Sequence, residues 1–449
     1  MDSIAKNEES LNNSIFRLAS RRKPNSQDGK STQKCQDWEE GCANKRQKKK
    51  ALSGELNTSP RGTSSNVKST RSVAAVEERL ETLCECFADV FDPRVNRRRR
   101  HLLIDIIVIA NADTWKDIQI WGDTHQEWLG SFLTLPHGIP SRDTFRRTIS
   151  RIDPQEFQNA FLHWLRGLRK GLKGVIAIDG KTLRRSRSEE HGPLHIVSAW
   201  ASEQHLTLGQ RQVDVKSNEI TAIPQLLRML ELKVAIVTID AMGCQKEIAA
   251  TIINGKGDYC LAVKGNQETL ANDIEASFDA AIDNDFQGKE QQQYSTAEEK
   301  RPHGRVETRH YYTMPVPTTL RTGADWIGLK SIGMTVTYSG NGTAPSEDGE
   351  VRYYIMSFAN NVKQFAEPVR GHWGIENSLH WVMDVTFRED ESRIHKDHGG
   401  ENVSWLRRLA ITLIKNDTTR KDSIRAKRIR AGYDTDYLQD IINAILVEN

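Results

Sequence analysis

Two short apolar runs in this chain each lead into an aspartate. Val-Ile-Ala-Ile (175–178) precedes Asp179, and Val-Ala-Ile-Val-Thr-Ile (234–239) precedes Asp240. Short continuous apolar runs rich in β-branched residues read as strands buried on both faces. Each aspartate then sits at a strand end, and both carboxylates can project from one sheet edge. A third acid, Glu376, lies in His-Trp-Gly-Ile-Glu-Asn (372–377), on a helix predicted from about Val362 to Met383. Carboxylates are hard oxygen ligands, and magnesium takes a few of them while keeping positions for water and phosphate. Two metals ~3.5–4 Å apart can activate a water or a DNA 3′-hydroxyl and stabilise the leaving oxygen of a phosphoryl transfer. The three acids therefore point to an enzyme that cuts and joins DNA.

The pattern around them is α/β. Strand runs at Leu194–Ala201 and Leu206–Val213 follow the first, joined by a polar turn. A helix opens at Lys216-Ser217-Asn218-Glu219 and runs through Leu232, capped by Ser217 or Asn218. Next come the Asp240 strand, a helix at Gln245–Asn254, a strand at Asp258–Lys264 and a helix from about Gln267. Three strands in succession, then alternating helix and strand, predict a mixed sheet flanked by helices on both faces. That is the order of a ribonuclease-H-like core. Strands at Val306–Thr313, Gly328–Tyr338 and Arg352–Ala359 fall between the second aspartate and the glutamate. They make residues 284–360 a strand-rich insertion or an extension of the sheet. A helix at Glu401–Lys415 closes this catalytic domain, 173–417, and residues 418–449 form a tail with a short helix.

Residues 73–172 read as a helical, DNA-binding domain. Trp115, Trp121 and Trp128 fit a core better than a base-stacking surface. A short helix, Arg142–Arg151, follows a Gly-Ile-Pro turn with Ser141 as its cap. It carries Arg142, Arg146, Arg147 and Arg151 on one side, which suits a major-groove reader or an ordinary solvated helix. Residues 1–72 are basic, rich in Ser, Asn and Gln, and too poor in apolar residues to fold alone. Their run Lys45, Arg46, Lys48, Lys49, Lys50 suits a nuclear-localisation match, a phosphate tether or a solvated segment. A second run, Arg94 and Arg97 to Arg100, adjoins the helical region and suits phosphate contact. The net charge of +3 excludes a bulk polycation. The six cysteines are scattered without zinc-finger or disulfide-framework spacing, as in a reduced intracellular protein. Cys244 and Cys260 sit in apolar runs and read as small core residues. No run is long enough to span a bilayer.

The segment around Glu376 admits several readings. His372, Glu376 and His380 recur at four-residue steps and share a helix face, with Asp384 extending the row. The two histidines could be zinc ligands, but the zincin spacing is missing. A polar surface helix is the plainest alternative. Asp384 and Glu389-Asp390-Glu391 are rival acids.

Longer strings carry a resemblance. They are Ile178-Asp179-Gly180-Lys181-Thr182, Lys216 to Ile223, Thr238-Ile239-Asp240-Ala241-Met242-Gly243-Cys244-Gln245, Lys264-Gly265-Asn266-Gln267 and Arg370 to Trp381. With Pro140-Ser141-Arg142-Asp143-Thr144-Phe145 they span roughly residues 75–417, where the chain resembles the insertion-sequence DDE transposases known as H-repeat-associated proteins. The resemblance implies that Asp179, Asp240 and Glu376 are catalytic and bind Mg²⁺ or Mn²⁺. It implies DNA cleavage and strand transfer, with element terminal repeats and target DNA as partners. Lys181, Lys264, Asn266, Gln267 and His372 become candidate phosphate or metal-shell contacts. Cutting paired ends implies a homodimer. The expected setting is the bacterial cytoplasm and nucleoid, or a nucleus if the host is eukaryotic.

The chain departs from the family in places. Arg185 stands where glycine is usual, and Arg142 where histidine is usual. His372 and Met383 occupy the Arg and Lys places of the Tyr-Arg-Glu-Lys signature of related transposases. These departures leave room for a catalytically inactive or domesticated DNA-binding derivative. A metal-dependent nuclease that cuts without joining is a third reading.

Overall fold

The computed structural model describes residues 85–444, apart from 88, 96–98, 110–112, 169–173, 188–191, 214–217, 285, 288–289, 299–304 and 342–348. The expectations for residues 1–72, most of the helix expected from Val73, and the Lys216-Ser217 helix start lie outside the described residues.

Helices α1 (Leu103–Ile109), α2 (Trp115–Thr124), α3 (Gln126–Leu129), α4 (Arg142–Ile149) and α5 (Pro154–Leu168) come first. Thr114 caps α2 with a reciprocal Asp117 contact, and the Ser141 hydroxyl accepts from Thr144 N at the start of α4. Phe145, Ile149, Phe157 and Phe161 form the buried seam of this layer. Trp115, Trp121 and Trp128 depart from the core reading and are only half-buried. Only Ile118 and Gly122 of α2 are buried, so its tryptophans fall on the flanks, where Trp121 stacks on His125 at 4.6 Å.

The sheet follows as β1 (Gly174–Leu183), β2 (Leu194–Ala201), β3 (Leu206–Gln212), α6 (Glu219–Leu227), β4 (Ala235–Ile239), α7 (Lys246–Asn254), β5 (Asp258–Val263) and α8 (Glu268–Asp283). Then come β6 (Gln292–Glu298), β7 (Arg305–Pro315), β8 (Ser331–Asn341) and β9 (Glu350–Met356). The spatial order is β3-β2-β1-β4-β5-β9-β8-β7-β6. β1, β4 and β5 are mutually parallel, while β2 and β3 return antiparallel. This is the ribonuclease-H-like mixed sheet the sequence predicts. Pairing of β9 with β5 carries the remaining strands on as part of the same sheet. β6 has no counterpart in the sequence reading. Its string Gln-Gln-Tyr-Ser-Thr-Ala-Glu lacks an apolar run because it is an edge strand, paired only with β7.

The chain then crosses one face of the sheet as α9 (Val362–Ile375), a π-turn (Glu376–His380) and α10 (Trp381–Val385). The start of α9 buries Val362, Phe365, Ala366 and Val369 against Cys260, Tyr311, Tyr354 and Met356. Its end and the following turn bury Ile375, Leu379, Val382 and Met383 with Ala177 and Trp200. Two glycines allow the close approach. A Cβ on Gly371 would stand 2.9 Å from Val175, and one on Gly333 would stand 2.7 Å from the Phe365 ring. Helices α11 (Gly399–Asn416), α12 (Ile424–Tyr433) and α13 (Thr435–Ala444) complete the described chain. The C-terminal segment thus holds two helices where the sequence suggests one short helix. α12 is largely charged, so apolar periodicity does not reveal it; its start is fixed by the Ser423 hydroxyl accepting from Ala426 N. No helix among the described residues is long and apolar enough to cross a membrane.

Candidate active site

The parallel register pairs Ile178 of β1 with Ile239 of β4, so Asp179 and Asp240 are the next residues on neighbouring strands. Alternation along β1 turns Asp179 toward the face that Ala177 shares with α9 and the π-turn. Asp240 caps a short 3₁₀ turn, its Oδ1 accepting from Met242 N at 3.1 Å and Gly243 N at 3.3 Å. Two residues singled out in the sequence brace this loop. Asn266 Nδ2 donates to Ala241 O at 2.7 Å, and Gln267 Nε2 donates to Cys244 O at 3.0 Å. Cys244 is buried beneath it, and burial pushes its thiol up to about 12. It therefore acts as a small core residue and not as a thiolate.

From the other side, His380 Nδ1 stands 3.2 Å from Asp179 Oδ2, and Gly180 N donates to Asp179 Oδ1 at 2.9 Å. Burial raises the Asp179 carboxyl. The His380 hydrogen bond, the His380 and His372 charges and the Gly180 N–H outweigh that, so its pKa ends below the ordinary value. Asp240 goes the other way: burial raises it, the charges of Asp179 and Glu219 add to that, and the Gly243 N–H opposes. Glu376 is also raised, by partial desolvation and by the Asp179 and Asp240 charges. The Asp179 charge thus helps to raise both Asp240 and Glu376, as crowded like charges do. Burial lowers the His372 pKa, against the Asp179 and Asp240 charges that raise it, and its Nδ1 is buried without a hydrogen-bond partner.

The rival acids are engaged elsewhere. Lys181 is buried on β1, with Nζ 2.6 Å from Asp384 Oδ1, 3.0 Å from Asp390 Oδ1 and 3.8 Å from Glu389 Oε2. This candidate contact thus commits its ammonium to carboxylates inside the protein. Glu389 is fully buried against Arg408, Arg407 and Ser404, and Glu391 pairs with Arg388. Lys264 is exposed, at the start of the turn that carries Asn266. Arg142, Arg146 and Arg147 stand outside this group, on α4, where Arg146 and Arg147 pair with Asp143 at 3.1 and 2.9 Å.

The sequence reading passed over one cluster. Thr182 Oγ1 meets His195 Nδ1 at 2.7 Å, and His195 Nε2 meets Glu219 Oε1 at 2.6 Å. It lies across β1 from Asp179, against Gly180, where any Cβ would collide with Glu219. Glu219 ends the string Lys-Ser-Asn-Glu, but nothing local to that string marks its charge as reaching Asp240.

The donor set fits a divalent cation. It is hard oxygen, its like charges raise Asp240 and Glu376, and the unpartnered His372 Nδ1 can bond a water or phosphate oxygen. Among the described residues, no three His, Cys, Asp or Glu side chains are drawn tightly enough to enclose an ion as they stand.

Residues 170–413 match the family described as "Transposase DDE domain". The chain belongs to the DDE transposases. The transposase match is preceded by one to the "DDE_Tnp_1-associated" family over residues 84–165, the helical layer. Among individual DDE transposase relatives, "Putative transposase YncI" of Escherichia coli O157:H7 is 37% identical over 374 residues, 81% of this chain and 95% of its own. "H repeat-associated putative transposase YhhI" of Escherichia coli (strain K12) is 38% identical over 375 residues, 81% of this chain and 98% of its own. A shorter relative from the same strain, "Inactive transposase YbfQ", is 37% identical over 78 residues, 16% of this chain. The resemblance read from the strings around Asp179, Asp240 and Glu376 is therefore a true family membership.

Proposed function

We propose that this DDE transposase is catalytically competent: it nicks DNA at the ends of an insertion element and joins the freed 3′-hydroxyl to target DNA. What supports this reading is that Asp179 and Asp240 stand next to each other at the same level of two adjacent parallel strands, and that the Asp179 charge raises both Asp240 and Glu376, the latter on the segment crossing that face. These three carboxylates would hold Mg²⁺ or Mn²⁺. Bound there, the metal supplies activation of the attacking oxygen and charge stabilisation of the leaving one. The protein's own residues prepare that chemistry. His380 orients Asp179, the Met242 and Gly243 amides orient Asp240, and Asn266 and Gln267 hold the Asp240 loop rigid. His372, its Nδ1 unpartnered, bonds a phosphate oxygen or water, and Lys264 offers an exposed cation beside the same loop. The helical layer before the sheet grips DNA through Arg142, Arg146 and Arg147, and two copies handle two element ends at the host nucleoid.

The test is a labelled duplex carrying the element's terminal repeat, with a target plasmid, in Mg²⁺ or EDTA, beside Asp240→Ala. Metal-dependent nicked and joined products, lost in the variant, are expected. Nicking without joining would reduce the protein to a nuclease. DNA binding indifferent to metal and to the substitution, with no nicking, would leave a DNA-binding relic.

A further inference from the structure

The strand that carries Asp179 ends in a turn loaded with arginine. Ser186 N donates to Leu183 O at 3.2 Å, which closes a β-turn with Arg184 and Arg185 at its tip. The buried Ser186 hydroxyl locks the turn, donating to Leu183 O at 2.6 Å and accepting from Leu194 N at 2.7 Å. Opposite lies the loop after the Glu376 helix. Asp390 ties the two loops together, accepting from Lys181 Nζ at 3.0 Å and standing 3.3 Å from Arg184 Nε. That second loop is fixed as well. Arg407 donates to Ser392 Oγ at 3.3 Å, and His395 Nδ1 meets Arg393 O at 2.8 Å.

Between the loops is an open hollow of about 440 Å³ lined by Arg184, Arg185, Arg187, Arg393 and His395. All five side chains are exposed, and no carboxylate lines the hollow among the described residues. Of the nearby acids, Asp390 is shared between Lys181 and Arg184, and Glu391 pairs with Arg388 while lying within reach of the Arg185 charge. Arg184 is paired with Asp390, while Arg185, Arg187 and Arg393 have no ion pair to a carboxylate among the described residues, and their planar forks suit phosphate oxygens. The hollow is wider than one phosphate needs and open along one side, which fits successive phosphates of a polymer. Arg184 lies five residues beyond Asp179 along the strand. At ~3.3 Å per residue that is about 16 Å, or about five steps of ~3.4 Å along one strand of duplex.

We infer that this hollow is a backbone-phosphate cradle for duplex DNA, gripping the substrate about five base pairs from the bond that is cut. The inference rests on the proposed function for the position of that bond, but not for the binding itself. The cradle contacts no base edge, so it sets position and not sequence. Arg185, the residue that departs from the family's usual glycine, is one of its walls.

The test measures affinity for a fluorescent ~30-base-pair duplex of unrelated sequence, in EDTA, over a salt series. It compares the native protein with Arg185→Ala/Arg187→Ala/Arg393→Ala and with the corresponding triple lysine variant. Each lost phosphate contact removes ~0.9 from the slope of log K against log salt. The alanine variant should lose about 2 to 3 from the slope, equally for several sequences, while the lysine variant keeps most of it. Phosphate ethylation about five steps from the nick should weaken native binding and leave the alanine variant indifferent. An unchanged slope with the fold intact by circular dichroism would overturn the cradle, as would binding of single-stranded RNA as tight and as dependent on these arginines. If the alanine variant is misfolded, no effect of ethylation near five steps on binding by the native protein would do the same. A slope change without metal-dependent joining would retain the cradle and sink the catalytic reading instead.

Discussion

Glu401 offers a quantitative test of how α11 is seated on the sheet. Its Oε1 accepts from Gln212 N at 3.3 Å, at the end of β3, and its backbone oxygen accepts from the Gln210 side chain at 2.8 Å. Burial pushes its carboxyl from 4.5 up to about 7, with Asp153 adding to the rise and the Gln212 N–H, Arg211 and Arg408 opposing it. A carboxyl whose pKa is raised on folding contributes stability below pH 4.5 and loses it as pH climbs through about 7. At ~1.36 kcal/mol per pH unit, that displacement is worth about 3 kcal/mol. Glu401 also lies in the first turn of α11, whose dipole favours an anion by up to ~1 kcal/mol, so about 2 kcal/mol should remain. Glu401→Gln keeps an acceptor for Gln212 N and removes the titration. Urea denaturation of both proteins from pH 4.5 to 8 should give curves that nearly coincide at the acid end. The variant should then be more stable by about 2 kcal/mol at pH 8. Two curves that stay parallel within ~0.5 kcal/mol would refute the argument that this carboxyl is desolvated.

Three further outcomes follow from the packing and the site. Glu389→Leu leaves Arg407 and Arg408 buried without their carboxylate and should cost about 3–5 kcal/mol in urea unfolding; a cost under ~1 kcal/mol would show that the network is solvated. Phe365→Ala should cost about 3–5 kcal/mol, because the ring is enclosed by Tyr311, Tyr354 and the Gly333 backbone; thermal melts near the native value would mean that the helix rides loosely on the sheet. Asp240→Asn should raise the melting temperature in EDTA, since it removes a charge that burial and Asp179 disfavour. The same variant should lose the stabilisation that Mg²⁺ gives the native protein, and equal Mg²⁺ shifts in both proteins would count against Asp240 as a ligand.

The parts of this molecule that speak through local pattern were legible in its sequence. β4, β5 and the first half of β1 are buried, so their residues form apolar runs and the aspartates that follow the runs of β1 and β4 stand out. Asp240 does follow the end of its strand, but β1 runs on four residues past Asp179, which the polar Gly-Lys-Thr string hides. The helix bearing Glu376 shows its period because one stripe packs on the sheet. Features set by distant contacts were silent. β6 is polar because it is an edge, α12 is charged because little of it is buried, and the α2 tryptophans sit on a flank that only tertiary packing defines. Lys181 reads from the sequence as a candidate phosphate or metal-shell contact, because its partners Asp384, Glu389 and Asp390 lie about 200 residues later. Glu219 and His195 likewise meet only after β1 and β2 pair. The π-turn has no local signature, although such turns recur at functional sites.

The order of assembly has a consequence for the cell that makes this chain. Asp179 and Asp240 follow strand runs synthesised early, but Glu376 is synthesised about 200 residues after Asp179, beyond β9. A ribosome emits roughly 5–20 residues per second, so a nascent chain spends on the order of ten seconds or more with two acids and no third. If the three acids act as proposed, the emerging protein cannot cut nearby DNA during that interval, and a message truncated before Glu376 yields a product without the third acid. Translation itself thus acts as a delay on any DNA damage this protein could do.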